Sequence, residues 1–323
     1  MKKLLILVLI LMFAAALPVS AQEADPNTQS DVPQPLAPDL LTRAGAALDT
    51  QDYEKAVRDL SLFILLNPTY SLAYYERAHG HIGLDDLDSA LEDVSRALRF
   101  SGANDPVEYS AALYLLRGDI EAQQQKLDAA LEDYTQSLDY QTTPDTLVSR
   151  GMVYAQQENF DAALEDLGSA IELDATNPVL YVYRGQINTA NSDIQAAGAD
   201  YLDFFNLIQP EPVESEELKT GEGVILQVDR AVVYHVPFRA EEGQFASARV
   251  DGESQNIDPL MVMVDPDGNA VAGDDDMGGN LSALLFNVPI PKDGEYMLVV
   301  GHSLGGYTGR VQVQLLVTDE PLE

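Results

Sequence analysis

The feature that most constrains this chain is a pair of spacings that recurs five times between residues 43 and 200. In every copy an Arg is followed directly by Ala or Gly, an Ala stands twelve positions after that small residue, and an Asp stands sixteen positions after the Arg. Successive Arg residues are 34, 40, 33 and 34 positions apart. Self-similarity at such a period predicts an array of stacked structural units.

Each copy is predicted to be a helix, a tight turn and a second helix. The polar stretch between the two small residues has turn character, and Asp52, Asp86, Asn159 and Asp193 can accept bonds from the first free amides of the second helix. Arg and Asp lie equally far before and after the turn, so they should meet in an antiparallel pair. The predicted structural ion pairs are Arg43 with Asp59, Arg77 with Asp93, Arg117 with Asp133, Arg150 with Asp166, and Arg184 with Asp200.

A period near 34 with this spacing of small residues is the tetratricopeptide pattern. Residues 38–210 therefore resemble a tetratricopeptide repeat (TPR) domain, most clearly at Gly151…Tyr154…Ala163…Ala170. The resemblance implies an all-α superhelix of five helix–turn–helix repeats whose first helices line a concave face. The family's Trp is replaced by Tyr74, Tyr114 and Tyr181 or by Leu.

The resemblance also implies that a protein or peptide partner binds in the concave groove. TPR domains that clamp a terminal carboxylate use Lys, Arg and Asn there, and this sequence has no Lys or Arg at those places. A clamp of that type is not expected, whereas binding of an apolar or neutral polar peptide remains open. The repeat register places six side chains in the groove: Tyr75, His79, Asp119, Met152, Gln156 and Gln186.

Charge and cysteine content restrict the partners. The net charge is −35, from 53 acidic and 18 basic residues. Such a surface repels nucleic acid and anionic lipid and favours a soluble monomer. The chain has no Cys, so disulfides, thiolate chemistry and attachment of lipid to an N-terminal Cys are all excluded.

Residues 1–21 are predicted to be a cleaved secretory signal. Lys2 and Lys3 precede an apolar run from residue 4 to residue 17, and Val19-Ser20-Ala21 provides a small-residue cleavage site. The apolar run is short for a membrane span, so no span is expected after cleavage. Residues 22–37 should be a flexible tether. We expect a bacterial protein of the cell envelope or the extracellular medium.

After residue 210 the pattern changes from helix formers to alternating apolar residues. Residues 211–220 are acidic and predict a linker, residues 221–318 predict an all-β sandwich, and residues 319–323 form a tail. Val224-Leu226-Val228 and Val311-Val313-Leu315 show the alternation. The predicted fold class is a multidomain α + β protein, with an all-α superhelix followed by an all-β sandwich.

An ordered set of motifs in the C-terminal part resembles the bacterial pre-peptidase C-terminal (PPC) domain. The set runs through Asp258-Pro259-Leu260, Val264-Asp265-Pro266-Asp267-Gly268, Phe286-Asn287-Val288-Pro289 and Asp293-Gly294-Glu295-Tyr296. This resemblance implies a secreted, non-catalytic accessory β-sandwich. It carries no information about which partner the repeats bind.

Gly301-His302-Ser303-Leu304-Gly305 matches the G-x-S-x-G nucleophile elbow. That chemistry needs a helix after the Ser and then an acid and a His downstream. A β-alternating run follows instead, and no His remains in the chain. The segment is interpreted as a hairpin turn, and the chain is not expected to be an enzyme.

One segment offers several oxygen ligands of the kind that Ca²⁺ prefers. An EF-hand loop starting at Asp265 would need Gly where Ala270 stands, and Pro266-Asp267-Gly268 is an ordinary turn sequence. The turn interpretation is favoured, and Ca²⁺ is the one cofactor left as an alternative. Its ligands would come from Asp265, Asp267, Asn269, Asp274, Asp275 and Asp276.

The predicted function is a secreted, non-catalytic interaction scaffold that holds a partner of unspecified identity in its groove. The sandwich would serve for attachment or stability. The alternative is an accessory subunit of an extracellular hydrolase system that binds carbohydrate, a surface or Ca²⁺.

Overall fold

The computed structural model describes residues 35–229, 231–253, 257–276, 282–303 and 308–323. The predicted signal and nearly all of the predicted tether lie outside these residues. Contacts divide the chain into two compact units, 1–156 and 157–323. We describe each unit by itself.

The first unit consists of seven helices within its described residues. Each of the first three repeats contributes two helices and the fourth contributes its first helix, as predicted. The helices are α1 (Pro38–Asp49), α2 (Tyr53–Leu66), α3 (Ser71–Gly83), α4 (Leu87–Phe100), α5 (Val107–Gln123), α6 (Leu127–Tyr140) and α7 (Pro144–Gln156).

The turns inside the repeats share one backbone geometry. The residue before each N-cap is left-handed although it is never Gly: φ is 58° at Gln51, 60° at Asp85, Gln125 and Glu158, and 66° at Ser192. This conformation crowds the Cβ of an L-residue. The N-cap follows at once, and the predicted caps form: the side chains of Asp52, Asp86, Asn159 and Asp193 accept bonds from Lys55, Ser89, Ala162 and Ala196 amides.

Small residues bring the two helices of a repeat together. Ala44, Ala78 and Ala90 are fully buried in the core of the first unit. The third repeat has Gly118 in place of Ala because Tyr134 fills the space opposite, and a Cβ on Gly118 would lie 2.7 Å from the Tyr134 ring. The regular spacing of small residues in the sequence therefore marks the positions where the backbones of the two helices approach closely.

The second unit contains three helices and nine strands within its described residues. Its helices are α8 (Phe160–Leu173), α9 (Pro178–Ala190) and α10 (Ile194–Ile208). Its strands are β1 (Glu211–Glu214), β2 (Gly223–Val228), β3 (Val232–Ala240), β4 (Phe245–Gly252), β5 (Pro259–Val264), β6 (Ala270–Asp274), β7 (Ala283–Pro289), β8 (Gly294–His302) and β9 (Gly309–Thr318).

The strands form two sheets that pack as a sandwich, as the alternation predicts. One sheet has the order β1-β3-β8-β5-β6 and the other β2-β9-β4-β7. All described pairings are antiparallel except that of β1 with β3. Phe238, Met261 and Tyr296 of the first sheet meet Ala248 and Val313 of the second in one buried cluster.

The first sheet is covered on both faces, which the sequence analysis did not anticipate. Met261 and Met263 face the sandwich core, while Leu260 and Val262 join a cluster with Phe205 of α10. Every residue of β5 is buried. A strand that is buried on both faces shows a continuous apolar run instead of alternation, and Leu260 to Val264 is such a run.

Two glycines allow α10 to lie directly on β6. A Cβ on Gly198 would be 2.6 Å from the carbonyl carbon of Ala272, and one on Gly273 would be 2.5 Å from the Gly198 Cα. This close packing explains why α8 to α10 group with the strands although they continue the repeat array in sequence.

Residues 211–220, interpreted above as a linker, are ordered in the structure. Residues 211–214 form β1 at the edge of the first sheet, in register with Val232 to His235. Leu218 donates a backbone bond of 2.8 Å to the Pro237 carbonyl and is buried. The acidic side chains of β1 stay exposed at the sheet edge, so the polar composition resembles that of a linker.

Candidate partner-binding groove

Arg–Asp contacts recur inside the repeats, and we call these residues the frame. In the first unit, Arg43 Nη2 lies 2.8 Å from Asp59 Oδ2, and Arg117 Nε lies 2.5 Å from Asp133 Oδ2. Arg77 binds Asp93 through two bonds, of 2.7 and 2.6 Å. The three Asp residues are buried, so each carboxylate is held by a charge inside its own helical hairpin.

The second unit repeats this arrangement once. Arg184 Nη2 lies 2.5 Å from Asp200 Oδ1, and Asn188 Nδ2 donates a further bond of 2.9 Å to Asp200. Of the remaining predicted pair, Arg150 belongs to the first unit, where it donates a bond of 3.3 Å to Thr135 Oγ1. Asp166 belongs to the second unit and is buried.

An aromatic ring stacks on four of the five arginines, a feature that the sequence analysis missed. The guanidinium carbon lies 5.6 Å from the Tyr74 ring in the second repeat, 5.4 Å from Tyr114 in the third and 5.7 Å from Tyr181 in the fifth. These Tyr residues stand three positions before their Arg, and that regularity was the available signal. In the fourth repeat the aromatic ring is that of Tyr154, whose centroid lies 5.9 Å from the guanidinium carbon of Arg150.

The predicted groove residues of the second repeat lie among aromatic rings. Tyr75 packs edge to face with His79, with ring centroids 4.7 Å apart, and with Tyr109 of the next repeat at 5.8 Å. Ser71 Oγ lies 2.7 Å from the Tyr109 hydroxyl. Burial lowers the pKa of His79 to about 4, so this imidazole is neutral at pH 7.

Asp119 is the predicted groove residue of the third repeat, and two hydroxyls hold it. The Tyr134 hydroxyl donates a bond of 2.9 Å to Asp119 Oδ1, and Ser149 of α7 also binds this carboxylate. Burial raises the pKa of Asp119 to about 6, against the smaller opposing effect of those bonds. The neighbouring charge that acts on it is Asp145, another acid.

Two further predicted residues lie on α7. Met152 is half-buried. Gln156 Nε2 donates a bond of 2.8 Å to Gln125 Oε1, across the step from the third repeat to the fourth. Helices α1, α3, α5 and α7 contain no Lys.

Gln186, the predicted groove residue of the fifth repeat, binds the sandwich of its own chain. Its Nε2 donates a bond of 2.8 Å to Asp275 Oδ2, directly after β6. The Tyr201 hydroxyl of α10 donates a bond of 3.0 Å to the other oxygen, Asp275 Oδ1. The predicted groove residue Gln186 is therefore already bound by a residue of its own chain, Asp275.

The loop between β5 and β6 has the geometry of a turn. Asp265 Oδ1 accepts bonds from the Asp267 and Asn269 amides at 2.8 and 2.9 Å. Lys292 Nζ lies 2.8 Å from Asp265 Oδ2 and also contacts Asp267. Burial opposes ionisation, but Lys292 and these donors hold the pKa of Asp265 at about 2.

The acidic run after β6 is a separate cluster. Asp274 and Asp275 are buried, and Asp274 Oδ2 accepts a bond of 2.7 Å from the Leu284 amide. Burial, reinforced by Asp276, raises the pKa of Asp275 to about 6; burial, Asp276 and Asp275 raise that of Asp258 to about 7. Among the residues that the structure describes, no group of three or more acids or histidines has the geometry to hold a metal ion.

The G-x-S-x-G segment lies at the end of β8. His302 Nδ1 is 2.5 Å from the Ser303 carbonyl oxygen, and both residues are buried. The Ser303 amide donates a bond of 2.9 Å to the Asp258 carbonyl. Leu304 and Gly305 lie outside the described residues.

The fold and the frame together define a helical repeat array followed by a two-sheet β-sandwich. Residues 144–177 match the tetratricopeptide repeat family model, which covers α7 and α8. No helix among the described residues is long and apolar enough to span a membrane. No curated protein matches the chain.

Several solved structures are similar to part of the chain. MamA from Desulfovibrio magneticus RS-1 shares 14% identity over 53% of this chain and 94% of that one, with a TM-score of 0.48. PilW, described as a type IV pilus biogenesis factor, shares 17% over 55% and 80%, with 0.49. YrrB, described as a TPR protein with an unusual peptide-binding site, shares 15% over 52% and 84%, with 0.44. At these values the similarities carry no argument about what this chain binds.

Proposed function

We propose that this chain is an exported, non-catalytic scaffold that binds a protein or peptide segment in the groove formed by the first helices of its repeats. One observation carries the proposal. The Arg and the Asp of the frame recur in every repeat, whereas the residue type two positions after that Arg differs from repeat to repeat. In the first unit that position holds Gly45, His79, Asp119 and Met152. A varied face on a repeated frame is the arrangement by which repeat proteins recognise a partner.

Because Asp275 binds Gln186, the proposal concerns the groove residues of the first unit. We take the sandwich to be an accessory module of the PPC type, which packs against the last repeat. No second function is favoured by a specific contact.

Photo-crosslinking tests the groove. A benzophenone amino acid at Met152 should capture a partner from the native envelope or medium, and the same group at Gln136 should not. Gln136 is exposed on α6, the second helix of its repeat. The proposal is overturned if the same partner is captured equally from both positions, or if no partner is captured from Met152, His79 or Asp119.

Export is tested separately. The mature protein should begin at Gln22, because Val19-Ser20-Ala21 satisfies the small-residue rule for cleavage. Intact mass of the protein recovered from the producing cell checks this. Recovery of an uncleaved chain from the envelope would contradict the prediction and indicate an N-terminal anchor.

A further inference from the structure

Helices α3 and α5 bring two carboxylates and three rings together, and three of these five residues hold predicted groove positions. We call Tyr75, Glu76, His79, Tyr109 and Asp119 the acidic aromatic site. Glu76, Tyr109 and Asp119 lie close enough to Tyr75 to raise its pKa, together with the larger effect of burial. Tyr75 is therefore the centre of this group.

The two carboxylates have no cationic partner among the described residues. Glu76 forms no described hydrogen bond or ion pair; burial and the repulsion of Asp49 raise its pKa. Asp119 is fixed by the hydroxyls of Tyr134 and Ser149, neither of which carries positive charge. A partly desolvated carboxylate without a counter-charge is unfavourable, and a bound cation would relieve this cost.

The basic groups of the same helices are directed elsewhere. Arg77 binds Asp93 and Ser61, and Arg117 binds Asp133. His81 lies 3.6 Å from Asp86 and 3.7 Å from Asp93. His79 is neutral at pH 7 because burial lowers its pKa to about 4. The described basic groups therefore do not neutralise the acidic aromatic site, in which Asp119, with a pKa of about 6, is ionised at neutral pH.

The rings supply a second element of recognition. Tyr75 meets Tyr109 at an interplanar angle of 75° and His79 at 85°, and Ser71 fixes the Tyr109 hydroxyl. Ring faces attract cations through their quadrupole, and guanidinium groups also stack on them. Carboxylates beside ordered rings match a cationic side chain better than a neutral one.

We propose that the acidic aromatic site binds the guanidinium of an Arg or the ammonium of a Lys, presented by an extended segment of the partner. The inference rests on the proposed function and specifies the chemistry of the segment. An acidic segment or a free carboxyl terminus would be repelled by Glu76 and Asp119. An entirely apolar segment would leave both carboxylates uncompensated.

Defined peptides test the inference. Three fluorescein-labelled, acetylated octapeptides of Ala and Ser would carry two Arg, two norleucine or two Glu residues, and binding to the purified protein would be followed by anisotropy at physiological salt. We expect the Arg peptide to bind at least about tenfold more tightly than the norleucine peptide, and the Glu peptide not to bind. The double change Glu76→Gln and Asp119→Asn should remove that advantage.

A matched control is essential because the whole chain carries −35 and attracts cations anywhere on its surface. Glu132→Gln with Asp139→Asn makes the same charge change on the exposed side of α6 and should leave the affinity within about twofold. Equal weakening by both double variants, or equal affinity for Arg and norleucine peptides, would overturn the inference. Glu76→Gln alone, which breaks no described bond, serves if the Asp119 variant fails to fold.

The result also separates this inference from the proposed function. If crosslinking from Met152 still captures a partner while the Arg peptide shows no preference for the wild-type groove, the groove is a binding surface and the acidic aromatic site is not its cation subsite. If no partner is crosslinked from Met152 and the Arg peptide shows no preference, both the proposed function and this inference fail.

Discussion

Gln186 in helix α9 donates a hydrogen bond of 2.8 Å to Asp275 after strand β6, although the two residues are 89 positions apart. The residue predicted to face a partner instead holds a carboxylate of its own chain. Tyr201 binds the same carboxylate, and α10 packs on β5 and β6 around it. The last repeat is therefore stabilised by the sandwich in place of a polar capping helix.

The buried Asp275 carboxyl should make the second unit more stable in mild acid. Burial and Asp276 raise its folded pKa to about 6, so its protonated form favours folding, fully below about pH 4 and progressively less as pH rises through 6. Asp258, with a pKa of about 7, acts in the same direction. Between pH 4.5 and 7.5 we expect Asp275 alone to lower the free energy of unfolding by about 2 kcal/mol, and Asp258 to add to this fall; urea titration measures both.

Asp275→Asn should reduce that pH dependence, because the amide does not ionise. Glu165→Gln removes the same charge from the exposed side of α8 and should leave the slope unchanged. An equal loss of slope in both variants would mean that overall charge repulsion causes the effect and that Asp275 does not.

Gly198→Ala should separate α10 from β6. Its Cβ would lie 2.6 Å from the Ala272 backbone, which cannot turn away as a side chain can, so we expect a loss of about 1–3 kcal/mol. Gly168 on α8 has nothing within 4 Å of a new Cβ, and Gly168→Ala should stabilise by about 0.5–1 kcal/mol. Urea unfolding with hydrogen exchange of α10 measures both; a harmless Gly198→Ala would show that the close approach is not required.

Arg77 and Asp93 should be strongly coupled in the first unit. Their side chains are 14% and 3% exposed and share two hydrogen bonds. Removing Arg77 leaves a buried charge, and such losses reach about 3–5 kcal/mol. The double Ala variant should lose clearly less than the sum of the single variants. Arg43→Ala should cost less than Arg77→Ala, because the Arg43 side chain is 55% exposed and Arg58 also lies 3.6 Å from Asp59; additive losses at Arg77 and Asp93 would contradict the coupling.

Gln51→Gly should stabilise the first unit. Gln51 is exposed and has φ 58° in the turn between α1 and α2, where an L-residue is disfavoured by about 1–2 kcal/mol. Subtracting the entropy that Gly adds to the unfolded chain leaves a gain of about 0.5–1 kcal/mol. Gln123→Gly, in the last turn of α5, should instead destabilise. Thermal unfolding compares the two, and destabilisation by both would show that the left-handed turn costs little here.

Particular residues show which parts of the candidate site were predictable. The meeting of Arg77 with Asp93 follows from a separation of sixteen residues around one turn, and the N-caps follow from a polar residue beside that turn. The stacking of Tyr74 on Arg77 is equally local, because the Tyr stands three residues before the Arg, as it does in the third and fifth repeats. The contact of the Ser149 hydroxyl with Asp119 was not predictable, since Ser149 comes from the next repeat and its orientation depends on how the repeats stack.

The sequence by itself determined the number of repeats, the position of each turn, the ion pairs within the described hairpins and the change from helices to strands. These features depend on contacts within about 34 residues, where spacing fixes which side chains share a face. Only the tertiary structure decided that β1 extends the first sheet, that β5 is covered by α10, and that Asp275 fills the groove position at Gln186. Those contacts join residues up to 89 positions apart. They depend on how two already formed surfaces fit together, which no local spacing encodes.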